Sequence, residues 1–341
     1  MRVHFAARIA LAISGLMFLC LPLSAQLLSG QPSVKKSFAP TVKLNAAKPN
    51  DDTIRLDTQV VSLTIIVTDK QGQPVTGLEK PAFQIYEDNV AQEITYFSYR
   101  DQPLSVSVVF DLSGSMGREK LQRAKDALKS FAATCHEEDE LALVGFNDRA
   151  WLVGDRLLAP EALNNAFGMM TARGQTALYD AVELGLKHVA QGHQPRKVLI
   201  IISDGEDNRS RTNFRNLRRM AQENDATIYA IGIQDFAPLH GYGKFILEEL
   251  ADLSGGAAFF PSDAEGVNEA FDRIAVALRQ QYSIGYVPTN FQTDGKLRRI
   301  KLKVDASANG ITNGKIVVRH RTGYIASGKA EPPAAEVKAD N

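Results

Sequence analysis

The stretch from Val198 to Ile202 is apolar at every position and is followed at once by Ser-Asp-Gly. A strand with one face in water alternates apolar and polar residues, whereas a strand covered on both faces reads as a continuous apolar run. This stretch therefore predicts a strand that lies inside a sheet and is covered by other elements on both of its faces.

Strand-like and helix-like segments alternate around this stretch, between residues 102 and 280. The expected strands are 104–111, 140–147, 150–154, 197–204, 226–233 and 257–261, and the expected helices are 118–135, 160–170, 176–190, 213–225, 244–255 and 265–281. The strands are short apolar runs, and the helices carry apolar residues at helical spacing. Such alternation predicts an α/β fold with a doubly wound, mostly parallel sheet.

Further strand-like segments, separated by turn residues, lie on either side of this region, at 55–100 and at 281–326. Few strands in one segment make a thin layer that needs a second layer to bury its apolar face. We therefore expect the two halves to meet in one small β-sandwich-like module, with the domain at 102–280 inserted between them.

The amino terminus has the layout of a secretory signal peptide. Two arginines precede an apolar stretch at 9–23, and Ser-Ala-Gln follows, so residues 1–25 are expected to be removed. The alternative is an uncleaved membrane anchor, but the apolar stretch is shorter than the ~20 residues of a membrane-spanning helix, which favours cleavage after Ala25. No transmembrane span is expected after cleavage. Residues 26–54 are expected to form a flexible linker, and residues 327–341 a disordered tail. An exported protein of the periplasm, cell envelope or outer medium follows from this layout.

The composition argues against some classes of partner and chemistry. The chain has 39 Lys and Arg against 39 Asp and Glu, so no basic excess points to nucleic acid. Signal cleavage leaves Cys135 as the one cysteine, and no internal disulfide is then expected. The acidic residues that follow Cys135 disfavour its thiolate, so we expect a packed side chain rather than a nucleophile.

Oxygen-bearing side chains follow two of the predicted central strands. They are Asp111, Ser113, Ser115, Thr176 and Asp204. In a doubly wound sheet, sites form outside the carboxyl ends of the strands, where the strand order reverses. Carboxylates and hydroxyls are hard ligands, and no His or Cys belongs to the group, so the set favours Mg²⁺, with Mn²⁺ or Ca²⁺ as alternatives.

The charge of this set predicts what the site binds. Three neutral hydroxyls and two carboxylates do not over-neutralise a divalent ion, so a position stays open to an outside carboxylate. The helix that follows Ser115 points its amino terminus at the site, and its dipole favours an anion. We therefore expect a protein partner that presents an Asp or Glu side chain to the metal.

The same residues carry a family resemblance. Asp111, Ser113 and Ser115 as D-x-S-x-S, Thr176 in "GQTALYDA" and Asp204 in "ISDGEDN" resemble the metal-ion-dependent adhesion site of von Willebrand factor type A domains. The whole layout is similar to the exported bacterial group labelled VWFA-related, known from acidobacteria.

The resemblance implies a Rossmann-like domain and an adhesion-type, protein-binding function. It implies that Asp111, Ser113 and Ser115 contact the metal directly, and that Thr176 and Asp204 do so directly or through water. Gln175 departs from the family pattern, because relatives often have a second glycine before the threonine.

The sequence leaves two alternatives open, an enzyme and a structural role in which the metal site stays empty. A metal-dependent hydrolase with an activated water needs a base, and only Glu206, Asp207 or Asp148 are placed to serve. A serine hydrolase elbow is not present, because Ser113 stands where G-x-S-x-G needs its first glycine around Ser115. No catalytic residue is therefore assigned, and a binding protein is the preferred interpretation.

Overall fold

The computed structural model describes residues 60–233, 241–307 and 316–327. The predicted signal peptide at 1–25, the predicted linker at 26–54 and the tail beyond residue 327 lie outside the described residues. None of the helices in the described ranges is both long enough and apolar enough to cross a membrane.

Strands and helices in the described ranges follow the predicted alternation. The strands are β1 (Val61–Asp69), β2 (Phe83–Glu87), β3 (Val90–Gln92), β4 (Ile94–Ser98), β5 (Leu104–Asp111), β6 (Glu140–Phe146), β7 (Ala150–Gly154), β8 (Arg196–Ser203), β9 (Thr227–Gly232), β10 (Ala258–Phe259), β11 (Tyr282–Tyr286), β12 (Leu297–Val304), β13 (Ile316–Arg319) and β14 (Gly323–Ile325). The helices are α1 (Gly117–Ala132), α2 (Pro160–Gly168), α3 (Leu178–Ala190), α4 (Phe214–Glu223), α5 (Tyr242–Ser254) and α6 (Ala264–Arg279).

A six-stranded sheet in the order β10-β9-β8-β5-β6-β7 forms the middle of the molecule. The pairs between β5, β6, β8, β9 and β10 are parallel, and β7 is antiparallel to β6. The sheet is therefore mostly parallel, and the predicted fold class is confirmed.

Helices cover both faces of this sheet, which explains the continuous apolar run in β8. Alternate side chains of β8 belong to two separate cores. Val198, Ile200 and Ile202 pack with α1, α2 and α6 on one face. Leu199 and Ile201 pack with α3, α4 and α5 on the other face.

The strand order reverses at the pair β5 and β8. From β5 the chain moves to β6 and β7 on one side, and it then returns to β8 and continues to β9 and β10 on the other side. Because β5 and β8 are parallel neighbours, Asp111 and Asp204 emerge at the same edge of the sheet. This is the switch point at which doubly wound sheets form their sites.

Two four-stranded antiparallel sheets form the second module, in the orders β13-β1-β11-β4 and β14-β12-β2-β3. Strand β1 from the amino-terminal half pairs with β11 from the carboxyl-terminal half, and β2 pairs with β12. A separate apolar core lies between the sheets and includes the fully buried Tyr282 and Tyr286. Both sheets thus combine strands from the two sides of the central domain.

Candidate metal centre

Asp111 is the last residue of β5, and its side chain is fully buried. Its Oδ1 accepts a hydrogen bond from the Ser113 backbone amide at 2.8 Å, and its Oδ2 accepts one from the Ser203 hydroxyl at 2.6 Å. The first bond closes an Asx turn, which explains how the chain leaves the strand at this point. The carboxylate is therefore held in one orientation by two neutral donors.

The electrostatics at Asp111 favour a bound cation. Burial raises the pKa of the Asp111 carboxyl to about 6, against the lowering effect of hydrogen bonds from Ser113 and Ser203, and the Asp204 charge raises it further. A nearby divalent cation reverses both unfavourable effects, because it stabilises the charged form of each carboxylate.

Ser113 and Ser115 place two hydroxyls side by side after the strand. Their Oγ atoms lie 2.9 Å apart, with Ser113 buried and Ser115 exposed. A single 3-10 turn at Gly114–Met116 separates β5 from α1, which begins at Gly117 with a φ of 55°. A left-handed residue at this point favours glycine and lets the helix start directly beside the hydroxyls.

The loop that carries Thr176 is bound to the loop that carries the serines. The Arg173 amide donates to the Leu112 carbonyl at 2.8 Å, and the Gly114 amide donates to the Gly174 carbonyl at 3.0 Å. These two backbone bonds place the buried Thr176 at the same edge as Ser113 and Ser115.

The loop after β8 is bound to the threonine in turn. The Thr176 amide donates to the Asn208 side-chain oxygen at 3.0 Å, and the Thr176 carbonyl accepts from the Asn208 and Arg209 amides. Asp204 is half-buried at the start of this loop, and its Oδ1 accepts from the Glu206 amide at 3.2 Å. The structure thus brings all five predicted residues onto three loops that are hydrogen-bonded to each other.

The donor set of these loops fits a hard divalent cation. Asp111 and Asp204 contribute carboxylates, and Ser113, Ser115 and Thr176 contribute hydroxyls. Within the described ranges, no three His, Cys, Asp or Glu side chains come together in a group that suits a metal. A cation at this edge would therefore depend on hydroxyl oxygens as well as on the two carboxylates.

Two residues of the site were missed by reasoning from the sequence. Ser203 bridges two of the loops, because its hydroxyl donates to Asp111 and accepts from the Gly205 amide at 3.1 Å. Asn208 holds the threonine loop as described above. The sequence does carry a signal for Ser203, because this hydroxyl directly precedes Asp204 at the end of an apolar strand.

The residues named as possible bases have other partners or lie in solvent. Asp148 accepts from the Gln175 amide at 3.1 Å. Asp207 accepts from the Tyr179 amide at 3.1 Å and from the Ser210 hydroxyl at 2.5 Å. Glu206 is exposed. Two of the three acids therefore serve to order the loops.

Comparison with known proteins identifies the central domain. Residues 105–273 match the family model for the von Willebrand factor type A domain. An uncharacterized protein of Synechocystis sp. is 28% identical over 173 residues, which are 48% of this chain and 40% of that protein. An uncharacterized protein of Borreliella burgdorferi is 22% identical over 211 residues, 59% of this chain and 61% of that protein.

The chain thus spans less than two thirds of the length of either relative. A solved structure described as von Willebrand factor type A from Catenulispora acidiphila is 14% identical, with a TM-score of 0.44, and the match covers 81% of this chain and 77% of that one. The chain belongs to the von Willebrand factor type A family through the domain at residues 105–273.

Proposed function

We propose that this protein binds a divalent cation, Mg²⁺ in the first place and Mn²⁺ or Ca²⁺ as alternatives, and that it holds an Asp or Glu side chain of a protein partner through that ion. The observation that supports this most is the buried carboxylate of Asp111, beside a second carboxylate and a pair of adjacent hydroxyls. Burial of the Asp111 charge, with the like charge of the half-buried Asp204 near it, is unfavourable unless a cation compensates them.

Each residue has a defined role in this proposal. Asp111, Ser113 and Ser115 hold the ion, and Thr176 and Asp204 contact it directly or through water. When bound, the ion supplies a Lewis-acidic position that accepts the partner's carboxylate. Ser115 is the exposed member of the set, so the partner approaches from its side. The secretory signal peptide expected at residues 1–25 supports an interaction outside the cytoplasm.

A binding role is better supported than hydrolysis. A metal-activated water needs a carboxylate that is free to accept its proton. Asp148 and Asp207 already accept hydrogen bonds from loop amides. The proposed cation would therefore be open to a partner's carboxylate, and of the three named acids Glu206 alone accepts no hydrogen bond from an amide within the described residues.

Metal binding is tested by titration calorimetry and thermal unfolding of the full chain with Mg²⁺ or Mn²⁺ against EDTA. An ion that binds only the folded state raises the free energy of unfolding, by about 2.7 kcal/mol at a hundredfold excess over the Kd. The Tm rises as a result. Asp111→Asn should abolish the shift. Ser130→Ala removes an exposed hydroxyl in the last turn of α1, at the other end of this helix from the site. This variant should leave the Tm shift unchanged.

The partner is tested by capture from an envelope extract on immobilised protein, with Mg²⁺ or with EDTA. Proteins retained with Mg²⁺ and released by EDTA, and absent from the Asp111→Asn column, are the expected result. Equal Tm shifts in the wild type and in Asp111→Asn would contradict the proposal. Retention of the same proteins with Mg²⁺ and with EDTA would also contradict it.

A further inference from the structure

Five arginines lie at the edge that carries the candidate cation site, four on the loops and one in the first turn of α1. They are Arg118, Arg149, Arg173, Arg209 and Arg211, and all five are exposed. We call this set the arginine rim. The connecting segments at 112–116, 147–149, 171–177 and 204–213 contain four of these arginines and no lysine. In the first turn of α1, Arg118 is accompanied by Lys120, whose Nζ donates to the Ser115 carbonyl at 2.8 Å.

Hydrogen bonds between the loops hold the rim together at one edge. The Arg173 amide is bound to Leu112, beside the serines, and the Arg209 amide is bound to Thr176. The Arg211 amide is bound to the Asp180 carboxylate at the start of α3. Arg118 lines the same cleft as Ser115. The backbone of the rim is therefore fixed next to the proposed cation ligands.

The guanidinium groups of the rim have no ion-pair or hydrogen-bond partner among the residues that the structure describes. Several arginines elsewhere in those ranges do have partners: Arg218 pairs with Glu249, Arg219 with Glu223, Arg279 with Asp139, and Arg321 with Asp225. The side chains of Arg100, Arg156, Arg215 and Arg299 have none within the described residues, but none of these four lies on the loops of the site. The rim thus concentrates unused bidentate donors at one edge of a chain whose net charge is zero.

The acidic residues on and beside these loops form no ion pair with the rim within the described ranges: Glu206 is exposed, and three other acids each accept a hydrogen bond from a backbone amide. Asp148, Asp180 and Asp207 accept from the amides of Gln175, Arg211 and Tyr179, respectively. Their charges still weaken the field of the arginines at a distance. The rim therefore acts by direct contact rather than through an extended positive potential.

We propose that the arginine rim selects a partner segment with clustered Asp and Glu side chains, one on the cation and the others on the arginines. This rests on the proposed cation-binding function. The guanidinium fork matches a carboxylate with two parallel hydrogen bonds, which a lysine does not provide. The balanced local charge disfavours nucleic acid or sulfated polysaccharide, because these bind through a large excess of cationic charge.

The test uses two synthetic peptides of equal length, one with a single Glu in a Ser/Ala background and one with three Glu residues. Binding of each to the full chain is measured with Mg²⁺ by titration calorimetry. The wild type should bind the three-Glu peptide roughly tenfold more tightly, because each exposed charge pair adds a small factor. The double variant Arg173→Gln/Arg209→Gln should reduce this preference to about twofold.

Controls separate this inference from the proposed function. Arg219→Gln, which removes an arginine already paired with Glu223 in α4, should keep the full preference. The rim variant should keep the Mg²⁺-dependent Tm shift and the affinity for the single-Glu peptide. If the wild type binds both peptides with equal affinity and keeps the Tm shift with Mg²⁺, the proposed role of the arginine rim is wrong but the proposed cation site is not.

Two further outcomes also decide the question. Absence of a Tm shift with Mg²⁺ in the wild type would overturn the proposed function and the inference with it. Displacement of the three-Glu peptide by heparin or by a short single-stranded DNA at equal charge concentration would show general polyanion binding, and would overturn the choice of an acidic protein segment.

Discussion

At the scale of single residues, Ser203 is the side chain that joins the two halves of the candidate site. It is fully buried, donates to Asp111 and accepts from the amide of Gly205, next to Asp204. Groups that orient metal ligands in this way commonly change metal affinity by about 10- to 100-fold when removed. We expect Ser203→Ala to weaken Mg²⁺ binding by about tenfold, measured by calorimetry.

Ser203→Thr is the matched control, because it keeps the hydroxyl and adds one methyl group. It should retain most of the affinity for Mg²⁺. If Ser203→Ala lowers stability without changing the Mg²⁺ affinity, Ser203 supports the fold and not the ligands.

Gly174 allows a residue-scale prediction about the threonine loop. Its φ is 82°, and a Cβ at this position would meet the Asp148 carboxylate. We expect Gly174→Ala to lower the free energy of unfolding by about 1–2 kcal/mol, measured by urea denaturation. Gly168→Ala, at the end of α2 with no neighbour within 4 Å of the added Cβ, should cause no loss.

The residue types of the site could be predicted from the sequence, but not the bonds between its loops. Asp111, Ser113 and Asp204 were found because each follows an apolar strand, which is a local pattern. The roles of Asn208 and Asp207 depend on which loops meet, since each accepts from an amide about 30 positions earlier. A single sequence carries no signal for such pairings.

At the scale of elements, Glu140 links the start of β6 to the connection between α3 and β8. Its Oε2 accepts from the Ser105 hydroxyl at 2.7 Å and from the His193 amide at 3.0 Å. Burial alone would raise the pKa of the Glu140 carboxyl, but these bonds and the His193 ring outweigh it and hold the pKa at about 2. The ionised form is therefore stabilised by folding.

This lowered pKa predicts a pH dependence of stability. The carboxylate contributes fully above its unfolded pKa of 4.5, and the contribution is lost as the pH falls toward about 2. We expect Glu140→Gln to lower the free energy of unfolding by about 1–2 kcal/mol at pH 6, with allowance for partial exposure. The difference from the wild type should shrink steadily below pH 4.5. A difference that is constant down to pH 2.5 in urea titrations would contradict this account.

The spacing of apolar residues along the sequence is sufficient to predict some of the strands and helices but not all of them. The continuous run in β8 and the amphipathic pattern of α6 predicted both elements, because packing on a sheet face fixes the spacing of apolar residues. The hairpin between β2 and β3 was not predicted as such. Asp88 and Asn89 form its turn with φ values of 47° and 69°, a conformation that Asp and Asn tolerate without glycine.

At the scale of the whole molecule, buried arginine contacts join the central domain to the β-sandwich module. Arg196, at the start of β8, is 5% exposed and donates to three backbone carbonyls. These belong to Arg100 before β5, Leu278 in α6 and Gln281 before β11, at 3.2, 2.9 and 3.3 Å. One side chain thus holds both chain crossings between the modules.

Removal of this side chain should weaken the coupling between the modules, which Arg321 also supports through its ion pair with Asp225. Arg196→Met keeps much of the volume but leaves three carbonyls without their donor, and we expect a loss of about 3 kcal/mol in the free energy of unfolding. The central domain and the sandwich have separate apolar cores, so we expect calorimetry to show one unfolding transition for the wild type and two for Arg196→Met. Arg219→Met, on the exposed face of α4, should change stability by less than about 0.5 kcal/mol. A single sharp transition in Arg196→Met at an unchanged Tm would mean that other contacts, such as the ion pair of Arg321 with Asp225, couple the modules without Arg196.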